Sequence, residues 1–216
     1  MPFPKSLIAA VWLFMISLPT QAQSLHEAAA SGDVATVTKL VEAKVPLDEK
    51  DSGGQTALLI AVQNNQVDVA NILIEAGANI NAQANNRDTP WLLAGASGRT
   101  EIIRAMIPVG PDFSIRNRYG GNALIPACER GHVETIALLL TTRIDLNHVN
   151  NLGWTCLLEI VILGDGGKRH QRAAELVLAA GADPNLADGN DVTPLAHARA
   201  RGQGKVAEII AKAGGK

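Results

Sequence analysis

Two apolar patterns alternate along the chain. One is a short run with a small residue at a fixed place: Ala28, Ala61, Ala94, Ala127 and Ala198. The other is an aliphatic seam at Leu40, Leu73, Met106, Leu139, Val177 and Ile210, set in stretches that read as the buried stripe of a helix. Polar segments separate the two. The pair recurs at about 33 residues, read from Leu25, Leu58, Trp91, Leu124 and Leu157. The pattern predicts about six units, each of two helices.

Local signals agree with that reading. Thr56, Thr89, Thr155 and Thr193, with Asn122 in one copy, stand where a side-chain oxygen can cap a helix start. Pro90 and Pro194 follow at the first helical position, where a missing N–H costs nothing. Gly32, Asn65, Gly98, Gly131 and Gly202 end the first helix of a unit. Gly77, Gly110, Gly181 and Gly214 end the second. Lys44 and Arg143 depart from this second set, and Arg87 stands where the turn before a unit has glycine elsewhere. Pro108 and Pro111 predict a shortened or bent second helix in the third unit.

In the segments TPLAHARARG, AGADPNLAD, EAGANINAQ and RGHVETIALLL the chain resembles the ankyrin repeat family. Thr, Leu, Ala, Gly and the run Gly-Ala-Asp/Asn-x-Asn recur there in register, over nearly all of residues 23–216. The resemblance implies an all-α solenoid of stacked helix-turn-helix units with projecting β-turn or hairpin fingers. Each unit depends on its neighbours to bury its apolar face. It gives His26 and His132 structural roles, and it implies that fingers and inner helices form a concave surface for another protein. The surface positions free of the repeat pattern in units four and five are Arg118, Tyr119, Glu129, Arg130, Asn151, Leu152 and Trp154. Tyr, Trp and Arg bury large areas with few rotamers lost, so these are the expected partner contacts.

Residues 1–22 differ from the rest. Lys5 precedes an apolar stretch that ends in Thr20-Gln21-Ala22, the order of a cleavable secretory signal, with the cut expected after Ala22. The apolar stretch is shorter than the roughly 20 residues a membrane span needs. A periplasmic protein is expected, with no stable membrane insertion after cleavage. Net charge is −2, with no concentrated run of lysine or arginine, which argues against a nucleic-acid surface.

The glycine-rich stretch LGDGGKRHQ follows no strand, and its Lys168 precedes Arg169 rather than Ser or Thr, so a phosphate-binding loop is not expected. The distance from Leu157 to Leu195 exceeds the period by five residues, which marks residues 165–169 as an insertion between the two helices of unit five. Glu159 falls where earlier units have Ile60, Leu93 and Pro126, and the last has His197. A buried charge needs a partner. Glu159 is therefore expected to anchor the insertion through its free N–H groups and to bridge to His197. Cys128 and Cys156 lie five places apart in repeat register, which points to two buried free thiols rather than a disulfide.

No catalytic residue, metal site or cofactor is expected. The leading reading is a non-enzymatic protein-binding scaffold. Within that class, an immunity protein that neutralises a toxin is the alternative. A hydrolase or metal enzyme centred on Glu159, His170 and His197 is the competing class.

Overall fold

The structure, a computed structural model, describes residues 23–216. The expected signal and its cleavage site lie outside the described residues. Polar side chains start the inner helices. Ser24 caps α1 (Leu25–Ser31) and forms a reciprocal box with Glu27. Thr56, Thr89, Thr155 and Thr193 each accept a backbone N–H in the first turn of α3 (Ala57–Gln63), α5 (Pro90–Ala96), α9 (Cys156–Ile162) and α11 (Pro194–Ala200). Asn122 does the same ahead of α7 (Leu124–Glu129), its Oδ1 accepting from the N–H groups of Leu124 and Ile125. Each cap satisfies a donor that the helix itself cannot.

The outer helices are α2 (Val34–Glu42), α4 (Val67–Glu75), α6 (Thr100–Met106), α8 (Val133–Leu139), α10 (Lys168–Ala179) and α12 (Gly204–Lys212). Inner helices stack on inner helices and outer on outer, which builds a two-layer all-α solenoid. The fingers between units are turns, with no strand among the described residues. Each closes through a backbone N–H bonded to the carbonyl four residues on, as in Asn117 to Gly121 and Asn150 to Trp154.

The core is a column between the layers. Ala28, Ala61, Ala94, Ala127 and Ala198 are fully buried, and Ile160 takes that place in unit five. Leu73, Met106, Leu139, Val177 and Ile210 are also fully buried, while Leu40 at the first unit is half-buried. Sealing each such aliphatic side chain from water stabilises the stack by about 1.5–3 kcal/mol. After Met106 the chain tightens into a 3-10 turn at Ile107–Val109, as Pro108 dictates. Asn65 and Lys44 take the left-handed turn at φ 57° without glycine. Arg143 does not, because Thr141 and Thr142 donate hydroxyl bonds to the Leu138 and Leu139 carbonyls and the chain leaves α8 another way.

The two cysteines form a disulfide, with Cα atoms 5.4 Å apart, and no described cysteine is free. This corrects the expectation of two free thiols. Equal repeat register is not the closest approach of neighbouring inner helices. The end of one helix meets the first turn of the next, 28 residues on. Gly95 shows the same offset: a Cβ there would lie 2.8 Å from the Ala123 Cβ. Cys128 and Cys156 occupy the equivalent pair one unit later. That proximity brings them within the span a disulfide requires.

Candidate functional site

The fingers and the ends of the inner helices together build one face of the solenoid. Between units four and five it deepens into a groove of about 430 Å³. One wall carries Arg118 and Tyr119 on the finger before α7, the other Leu152 and Trp154 on the finger before α9. Asn117 and Asn150 shape these fingers. Asn117 Oδ1 accepts the N–H groups of Tyr119 and Gly121, and Asn150 Oδ1 accepts those of Leu152 and Trp154. Such local bonds set the finger tips without help from a strand.

Six of the seven expected partner-contact residues line this groove: Arg118, Tyr119, Glu129, Arg130, Leu152 and Trp154. Asn151 does not. It is exposed, its N–H donates to the Tyr119 carbonyl at 2.9 Å, and its side chain lies against Gly120. Its task is joining one finger to the next. Residues the sequence did not single out also line the groove, among them Ile125, Pro126 and Leu163. Leu163 precedes the insertion and is 50% exposed, beside Tyr119 at 52% and Leu152 at 53%.

Two carboxyl groups, those of Glu129 and Glu159, also line the groove. Glu159 is only 4% exposed, and its Oε1 accepts from Asn150 Nδ2 at 2.9 Å. Burial, and then the neighbouring Glu129 carboxylate, push its pKa up to about 7 against the opposing Asn150 bond. The arginines are engaged elsewhere. Arg118 sits 4.7 Å over the Tyr119 ring and 3.9 Å from Asp88. Arg130 Nη1 donates to the Ala96 carbonyl.

Glu159 neither bridges to His197 nor pins the insertion with its side chain. His197 Nε2 lies 2.8 Å from Asp188 Oδ2, so each of the two is taken by its own finger, nine residues upstream. The reason is that inner-helix position and finger base face one another within a unit. The insertion is held instead by His170 and Gln203. His170 is buried, with Nδ1 2.6 Å from Asp165 Oδ1 and Nε2 2.9 Å from the Glu129 carbonyl oxygen. Gln203 Nε2 donates to the carbonyls of Val161 and Gly164, each at 3.0 Å. Lys168 and Arg169, expected in the loop, belong to the first turn of α10. Gly166, at φ 67°, makes a left-handed turn within the insertion. Among the described residues no three His, Cys, Asp or Glu side chains are placed to hold a metal, and no helix is long and apolar enough to cross a membrane.

A family model for ankyrin repeats (3 copies) matches residues 14–84 and 91–188. The chain is 37% identical over 188 residues to a putative ankyrin repeat protein, YahD, of Escherichia coli K12, covering 87% of this chain and 94% of that protein. It is 37% identical over 100 residues to cyclin-dependent kinase 4 inhibitor B of Bos taurus, covering 45% of this chain and 71% of that one. Among solved structures, an ankyrin repeat domain from Acinetobacter baumannii AYE superposes with a TM-score of 0.85 at 48% identity, covering 89% of this chain and 98% of that one. The ankyrin repeat domain of Bcl-3, from the IkappaB protein family, gives 0.79 at 26% identity, covering 89% and 86%. The repeat anatomy and these likenesses agree, and the chain belongs to the ankyrin repeat family.

Proposed function

We propose that the chain is a non-enzymatic scaffold of the periplasm that binds another protein through the groove between units four and five. The observation that carries this reading is the cluster of Tyr119, Leu152 and Leu163, each about half exposed around Trp154. A protein that keeps such side chains in water, gathered around one groove, has a reason to cover them. The family supports the class of function, and one relative's name describes an inhibitor of a kinase, a protein that acts on another protein. The signal-like pattern of residues 1–22 supports export, and so does the Cys128–Cys156 disulfide, since such bonds persist in oxidising compartments.

Affinity capture from a periplasmic extract supplies the partner, and calorimetric titration tests the groove. Trp154→Ala should weaken binding by about 2 kcal/mol or more, with an unchanged circular dichroism spectrum. A partner that binds this variant as it binds wild type uses another face. Intact mass of the native protein tests export, with Gln23 or its cyclised form expected first. A chain that retains Met1 would refute export.

A further inference from the structure

The groove has apolar and aromatic walls, and two carboxyl groups among its lining residues form no ion pair with any described residue. Glu159 is nine-tenths buried and lines the groove, yet only Oε1 has a bonding partner, the neutral Asn150 amide. Glu129 lies beside it and lines the same groove. Among the described residues no lysine, arginine or histidine forms an ion pair with either carboxylate. Arg118 and Arg130 also line the groove and have other partners, Arg118 the Tyr119 ring and Asp88, Arg130 the Ala96 carbonyl. A buried carboxyl group beside a second, half-buried one, neither in an ion pair, is a place a cation would stabilise.

We infer that this groove takes a basic side chain, arginine or lysine, that the partner presents between apolar residues. The inference rests on the groove being the binding surface. The aliphatic stem of such a side chain fits along Leu152 and Leu163, and its charged head reaches Glu159 and Glu129. Trp154 also lines the groove, and an indole attracts a cation. A guanidinium also matches a carboxylate with two parallel donors.

The test uses a displayed library of random twelve-residue peptides, selected against the disulfide-bonded protein. Binders are then measured against wild type, Glu159→Gln and Trp154→Ala. The glutamine keeps the acceptor for Asn150, so the fold is retained, which circular dichroism checks. The inference expects enriched peptides to share one basic residue with apolar neighbours. It expects at least a tenfold loss of affinity for Glu159→Gln, and a similar loss when the basic residue is replaced by norleucine. Peptides that lose affinity for Trp154→Ala but carry no shared basic residue, or ignore Glu159→Gln, leave the groove as binding surface and overturn the basic-residue inference. Peptides indifferent to both variants overturn the groove as well. A library that enriches nothing also counts against the inference.

Discussion

The finger face of the solenoid holds two hollows on one scaffold, and they differ in chemistry rather than in space. The hollow at units two and three measures about 410 Å³, and the groove at units four and five about 430 Å³. In the first, the finger positions are Gly53, Gln55, Asn86 and Asp88, and the helix contributes Leu59 and Leu93. One and two units later the same finger positions hold Tyr119, Leu152 and Trp154, and Glu159 stands in the register of Leu93. The first hollow is a polar rim over aliphatic carbon. The second is aromatic and aliphatic above carboxylates. The repeat dictates the shape of both, and the positions it leaves free decide what each can bind. Only the second gathers large apolar side chains in water, and the proposed binding site lies there.

Below the second groove the units are also joined covalently, which gives the largest expected effect. The disulfide closes a loop of 28 residues between α7 and α9, while the equivalent Gly95–Ala123 contact under the neighbouring unit is packing alone. Replacing Cys128 and Cys156 by alanine should cost about 3–4 kcal/mol through the freed unfolded chain. Urea unfolding of oxidised wild type and of the double variant measures it. Coincident curves would show that the bond does not hold the two units together.

The next effect separates the two hollows. Glu159 has its pKa raised from 4.5 to about 7. The folded state therefore keeps a proton that the unfolded chain gives up first. The stability this proton provides is fully present below about pH 4.5 and is lost as pH rises through about 7. At the usual energy per pKa unit the loss is about 3 kcal/mol. The difference in unfolding free energy between wild type and Glu159→Gln should fall by that amount from pH 4.5 to pH 8. A difference flat across this range would mean that Glu159 is solvated in the folded protein.

The smallest expected effect lies in the finger beside the first hollow. Arg87 holds φ 68° in the turn where Gly54, Gly120 and Gly153 serve in other units. A side chain is strained there and glycine is not. Arg87→Gly should stabilise by about 0.5–1 kcal/mol, read as a higher unfolding midpoint. Destabilisation would mean that the arginine contributes more through its contacts than the turn loses through strain.

The solenoid was legible because its signals repeat: capping threonine, small residue, aliphatic seam and turn glycine return together at one period. The groove residues were legible for the opposite reason. Arg118, Tyr119, Leu152 and Trp154 sit where no repeat requirement explains them. Contacts between units were harder to read. Register says which positions are alike, not which touch, and so Cys128 and Cys156 were set apart although Gly95 and Ala123 share their offset. The partner of Glu159 was misplaced in the same way. Its nine-residue spacing to Asn150 returns in Asp188 and His197, which was a signal within the unit rather than between units. His170 was legible by register instead, since shifting it by the five inserted residues puts it in register with His132. Leu163 gave no sign in the sequence, because its exposure depends on where the insertion turns away.

Hydrogen exchange on the complex with the captured partner tests the central assignment most directly. The account predicts that binding slows exchange at the fingers of residues 117–121 and 150–154, and leaves residues 51–55 and 84–88 as they are in the free protein. Protection confined to the first hollow or to the outer helices would contradict it.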